Sequence, residues 1–189
     1  MDRDQIKELQ HAVGANPDGI WGPRSRSACQ EHLRSLMPDP NPWPKPDHTE
    51  LEKFYGDPWD NAPIVGVTAP SWMMLYNTDR KVRKIYCHEK VANSLLRALD
   101  AAYKAAPSVV NKYYGCHVDR NIRGGASPSL HAYGAAIDLS AISNRNKSAW
   151  PQESDMPLVV MEAFARQGWT PAGAFWGRDA MHFQATQPS

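Results

Sequence analysis

Five prolines stand at alternate positions from Pro38 to Pro46, and no regular helix or central strand can run through them. Each proline fixes its own φ and pushes the preceding residue toward extended backbone, which predicts a stiff polyproline-like strut. The alternative is an irregular surface loop packed on the larger part of the chain. Either way the run marks a boundary: residues 1–37 before it, a proline-rich linker over 38–50, and a main unit over 51–189. A unit of that length buries about two thirds of its unfolded surface, enough for a core of its own. Disorder is disfavoured, because 42% of the residues are hydrophobic and 10% aromatic.

Charge excludes one class of partner. Lys+Arg 21 against Asp+Glu 20 leaves a net charge of +1, so the basic field of a nucleic-acid binder is missing. The most apolar stretch, 62–76, is broken by Thr68, Pro70 and Ser71, and no membrane insertion is expected. The N-terminus carries no apolar run of a secretory signal. Cys29, Cys87 and Cys116 are widely spaced and suggest neither a disulfide framework nor a cysteine zinc site. These features predict a monomer made in a reducing cytoplasm.

Residues 1–37 read as two short helices around a turn. Asp4 is a candidate N-cap, Ile6, Leu9, Gln10 and Val13 have helical spacing, and Asn16-Pro17-Asp18-Gly19 supplies turn chemistry. Pro23 suits the first position of the second helix, with Ala28, Leu33 and Leu36 on its apolar side. Farther on, Val91, Leu95, Leu99 and Ala102 predict a helix over 91–106 that Pro107 ends. Another is expected over 157–167, capped near Ser154 or Asp155 and stopped by Gly168. Strands are expected over 82–86, 135–139 and 181–185. This mixture predicts an α+β fold.

Two histidines of the seven stand in suggestive surroundings; the other five read as surface or capping residues. His131 lies in Ser129-Leu-His-Ala-Tyr-Gly134-Ala-Ala-Ile-Asp138, and His182 in Asp179-Ala-Met-His182-Phe-Gln184. His131 and Asp138, seven apart, converge only if the chain bends between them, and Gly134 permits the bend. On the last strand His182 and Gln184 share one face while Met181 and Phe183 share the other. Two imidazoles and one carboxylate form the ligand set of a catalytic zinc. Asp179 is then a spare carboxylate able to take a proton from a water that the metal acidifies. The plain alternative is a pair of buried histidines satisfied by neighbouring acids.

Taken together, Ser-x-His-x-x-Gly-x-Ala-x-Asp and the later Asp-x-x-His resemble the zinc-dependent peptidoglycan peptidases, which include D-Ala-D-Ala carboxypeptidases and dipeptidases. The stretch 115–125, Gly-Cys-His-Val-Asp-Arg-Asn-Ile-Arg-Gly-Gly, resembles the phage endolysin branch, whose members are L-alanyl-D-glutamate endopeptidases. This resemblance spans roughly 51–186 and implies a small antiparallel-sheet domain with flanking helices. It implies one Zn2+ per chain on His131, Asp138 and His182, with Asp179 as general base and acid. It also implies an arginine that stabilises the oxyanion, placed on Arg120 with Arg123 second; for Arg123 the alternative is a loop salt bridge. Ser129 either binds substrate or holds its loop. Relatives often carry Glu where Asp179 stands.

Leu9, Gln10, Asp18, Gly19, Trp21, Gly22 and Pro23 resemble the start of a peptidoglycan-binding helical module. Such modules usually run to three helices, and this segment has two. Trp21 is therefore either a wall contact or the core residue of the segment. The whole implies peptidoglycan as partner, and lysis from the host cytoplasm once the membrane is permeabilised. The alternatives are a D-Ala-D-Ala carboxypeptidase of the same fold and a non-catalytic wall-binding protein.

Overall fold

The computed structural model describes residues 1–189 and has the α+β architecture. Helices α1 (Arg3–Ala12), α2 (Pro23–Leu36) and α3 (His48–Tyr55) precede strands β1 (Ile64–Thr68), β2 (Met74–Leu75) and β3 (Lys84–His88). Then come α4 (Ala92–Ala105), α5 (Pro107–Val110), β4 (Lys112–Gly115), β5 (Ala136–Leu139) and α6 (Leu158–Ala165). The chain ends with β6 (Thr170–Pro171), α7 (Ala172–Trp176) and β7 (His182–Gln184). The main sheet has the order β2-β4-β5-β7-β6 and is antiparallel except for the β2–β4 pair; β1 and β3 form a separate two-stranded ribbon. The sheet is thus mixed rather than wholly antiparallel.

Helix α6 is apolar around most of its circumference, with Leu158, Val160, Met161, Ala163, Phe164 and Ala165 buried. Such a helix must be covered on several sides. α4 packs on one side through its Leu95, Ala98, Leu99 and Ala102 stripe, and α2 covers another. The expected caps at Ser154 and Asp155 are not used: Pro157 occupies the N-cap position and no side chain caps the helix. At the first helix the cap is Asp2 rather than Asp4, in a reciprocal capping box with Gln5.

The N-terminal pair and the proline run are not held away from the rest. A single hydrophobic cluster runs from Ile6, Leu9 and Trp21 through Trp43 to Phe164 and Phe183. Trp43 is buried edge-on against Trp169 at 6.2 Å, and its Nε1 donates to the Gln167 carbonyl. Pro44 O accepts from Gln187 N, and Asn41 Nδ2 donates to Gly168 O. The proline segment is therefore a packed surface loop and not a spacing strut, because one aromatic anchor among the prolines gains more by burial than by exposure. Its far end is already helical: Asp47 caps α3, and Tyr55 Oη reaches Ala185 O at 2.6 Å.

The turn in residues 1–37 is built around Gln10, which is fully buried. Its Nε2 donates to Asp18 Oδ1, Ile20 O and Ser25 Oγ, and its Oε1 accepts from Gly19 N. The Leu-Gln and Asp-Gly-x-Trp pattern is thus consumed internally, since a buried amide must satisfy its donors.

Gly134 makes the bend between His131 and Asp138, with φ 63°. A Cβ there would lie 2.6 Å from His88 N and 2.8 Å from Ile64 Cδ1. Gly134→Ala is expected to destabilise the chain by about 2–4 kcal/mol, from left-handed backbone strain plus a backbone clash. Urea titration measures it directly.

Candidate metal centre

Strands β5 and β7 pair in antiparallel register, with Asp138 directly opposite His182 and Ala136 opposite Gln184. Their side chains emerge on the same face at neighbouring positions. His131 arrives from the turn before Gly134. Asp138 Oδ1 lies 3.0 Å from His182 Nδ1 and 3.4 Å from His131 Nε2, and the two nitrogens are 3.2 Å apart. All three residues are buried.

The outer partners fix which nitrogen of each imidazole faces inward. His131 Nδ1 lies 2.6 Å from the Cys116 carbonyl, which only accepts, so Nδ1 donates there and Nε2 is the nitrogen turned toward Asp138 and His182. His182 Nε2 lies 3.2 Å from Gln184 Oε1, while Gln184 Nε2 donates to Thr186 Oγ1 at 2.7 Å. His182 Nδ1 is then the nitrogen turned toward Asp138. Burial opposes ionisation of Asp138, but hydrogen bonds from His131 and His182 outweigh it and hold the carboxyl far below its usual range. Burial likewise opposes protonation of His182, yet Asp138, Asp179 and Gln184 together raise its pKa. A proton and a metal compete for the same inward lone pair.

These donors fit zinc. Tetrahedral bonds of about 2.0–2.1 Å place ligand atoms roughly 3.3 Å apart, close to the spacings of the trio. Nitrogen, nitrogen and oxygen donors, each oriented by an outer hydrogen-bond acceptor or strand partner, are zinc chemistry. Gln184→Leu, which removes the acceptor for His182 Nε2, is expected to weaken zinc binding about 10–100-fold, measured by chelator competition.

Asp179 follows the turn at Gly177 and has φ 59°. Its Oδ1 is buried without a hydrogen-bond partner. Burial raises its pKa and the Asp138 charge adds to this, against the opposing pull of His182, His131 and Arg178. Asp179 is thus electrostatically coupled to the trio without being one of the three clustered ligands. Trp176, 41% exposed, stacks on the His182 ring at 5.4 Å and 27°.

Asn121 and Pro128 bridge the base of a hairpin; Arg120 Nη1 bonds Asn121 O, and Arg123 is exposed near the tip. Neither forms a hydrogen bond or ion pair with the trio. Ser129 is buried and accepts from His131 N at 3.3 Å. Trp21 packs in the core: only 6% of it is exposed, and it meets Trp150 edge-on at 5.4 Å. His88, expected as a surface or capping residue, is fully buried; its Nε2 bonds Tyr55 O and its Nδ1 accepts from Lys90 N. Cys116 supplies its carbonyl rather than its thiol. Sequence spacing did not single out Gln184 as the His182 orienter, although its place two residues along the same strand face was visible.

Residues 123–185 match a family model described as D-alanyl-D-alanine carboxypeptidase. The matched third of the chain contains His131, Asp138, Asp179 and His182. The match is a similarity over that third alone, and within it lies the trio that could hold a metal ion. No curated protein and no solved structure matches the chain.

Proposed function

We propose that this chain is a phage-type endolysin, a zinc peptidase that hydrolyses the L-Ala–D-Glu bond of the peptidoglycan stem peptide. The observation that carries the peptidase chemistry is the buried trio of inward-facing donors with an unpartnered carboxylate oxygen at Asp179. Zinc bound there would polarise the scissile carbonyl and acidify a water. His131 and His182, oriented by Cys116 O and Gln184, would hold the ion together with Asp138. Asp179 accepts the proton of the attacking water and returns it to the leaving amine of D-Glu. Trp176 offers the stem peptide an apolar surface beside His182. Arg120, with Arg123 second, would stabilise the oxyanion, as a fixed positive charge is what that intermediate requires.

The choice of the L-Ala–D-Glu bond rests on the Gly115–Gly125 stretch and its resemblance to the endolysin branch. Cytoplasmic accumulation before release to the wall belongs to the same reading. The family description favours a second specificity, removal of the terminal D-Ala. Mass analysis of digested sacculi separates the two. New N-terminal D-Glu with intact D-Ala-D-Ala ends is the expected result; release of D-alanine alone would replace it with the carboxypeptidase reading.

A further inference from the structure

We propose that Gln30 is a positioning residue for the segment 176–182, so that α2 of the N-terminal pair forms part of the hydrolytic machinery. The proposal rests on the zinc-peptidase reading and adds to it a role for residues 1–37 other than contact with the wall.

Helix α7 has five residues and no side-chain cap, far too short to hold its shape alone. Its last residue, Trp176, stacks on the ligand His182. Directly after it the chain takes two left-handed steps, at Gly177 with φ 71° and at Asp179 with φ 59°. The place of the Asp179 carboxylate relative to the trio therefore depends on where α7 ends and how its last turn is held.

That last turn is held from outside the matched region. Gln30 Nε2 donates to both Ala174 O and Phe175 O at 3.2 Å, carbonyls that a helix end leaves without intrahelical partners. Arg34, one turn along α2, lies over the Phe175 ring at 4.9 Å. Arg26, one turn back, lies against Gly177, where a Cβ would meet its guanidinium carbon at 3.4 Å. Spacing of four places all three side chains on one face of α2, directed at residues 174–177. A second support reaches the same turn: Trp150 N donates to Gly177 O at 3.0 Å, and Trp150 packs on Trp21. His32 and Glu162, 2.7 Å apart, tie the neighbouring face of α2 to α6. Of these contacts, only the Gln30 amide bonds the carbonyls of α7 itself.

Three full-length variants test this. Gln30→Glu keeps the shape but turns an oxygen and a negative charge toward two carbonyls; Gln30→Ala removes the donor; Gln30→Lys restores a donor suited to a helix C-terminus. The substrate is a soluble stem pentapeptide, which contains both the L-Ala–D-Glu and the D-Ala–D-Ala bond and needs no wall binding. We expect Q30E to lower kcat about tenfold with KM within twofold and zinc content unchanged, and Q30K to recover most of the loss. Hydrogen exchange, read without reference to activity, should quicken in Q30E over 174–181 and stay unchanged over 131–139. Unchanged kcat and unchanged exchange would overturn the proposal. So would exchange quickened uniformly along the chain, with the activity loss following the unfolded fraction. An inactive wild-type chain would refute the peptidase reading instead, and the exchange arm would still decide whether Gln30 holds the segment.

Discussion

Asp179→Asn is expected to lower turnover about 10²–10⁴-fold while the protein keeps its zinc, the range a positioned acid–base group contributes. Asn is the informative replacement because it preserves size and tolerates the left-handed backbone at this position, φ 59°. What it removes is the ability to accept a proton. The Asp179 oxygen that finds no partner within the protein is the group left available for a water. Zinc content and kcat are measured on the same sample. Loss of the metal would make Asp179 a ligand; retained activity would remove it from proton transfer.

Trp21→Ala is expected to destabilise the whole chain by about 3–5 kcal/mol, the usual cost of truncating a buried Trp. For a chain of this size that lowers Tm by roughly 6–20 °C. The lower part of the range is favoured, because the Trp21 Nε1 donor is buried without a partner and its removal relieves that penalty. The loss is not confined to residues 1–37. Trp21 packs on Trp150, Gln152 Nε2 donates to Trp21 O, and the N-terminal amine reaches Pro151 O at 3.1 Å. One cooperative thermal transition moving as a whole is the expected record. Weaker binding to sacculi with an unchanged Tm would instead return Trp21 to the wall-contact role that its motif suggests.

His131, Asp138 and His182 were legible in the sequence as a candidate ligand set from their two motifs and from the resemblance those motifs carry, and the structure clusters the three. Alternation on β7 puts His182 and Gln184 on one face, the β5–β7 register then sets His182 opposite Asp138, and Gly134 makes the one bend that brings His131 over. Helices α4 and α6 were legible within a residue or two because their limits follow from local rules. Trp21 and Trp43 were not, since their partners Trp150 and Trp169 lie more than a hundred residues away. A Trp in a short motif looks the same whether it meets a ligand or a distant ring. The alternating prolines misled in a similar way: they do forbid regular structure, but extended backbone packs on a core as readily as it spans a gap. His88 was passed over because its partner, the Tyr55 carbonyl, carries no residue-type signal. Gln30 was passed over for a similar reason, as it reaches two backbone oxygens across the fold.

The most direct test of the central claim is metal content. Zinc measured in the purified chain, its His131→Ala variant and its Asp179→Asn variant should give one ion, none and one per chain. A wild-type chain that takes up no zinc, or a His131→Ala chain that keeps a full complement, would contradict the His131–Asp138–His182 centre.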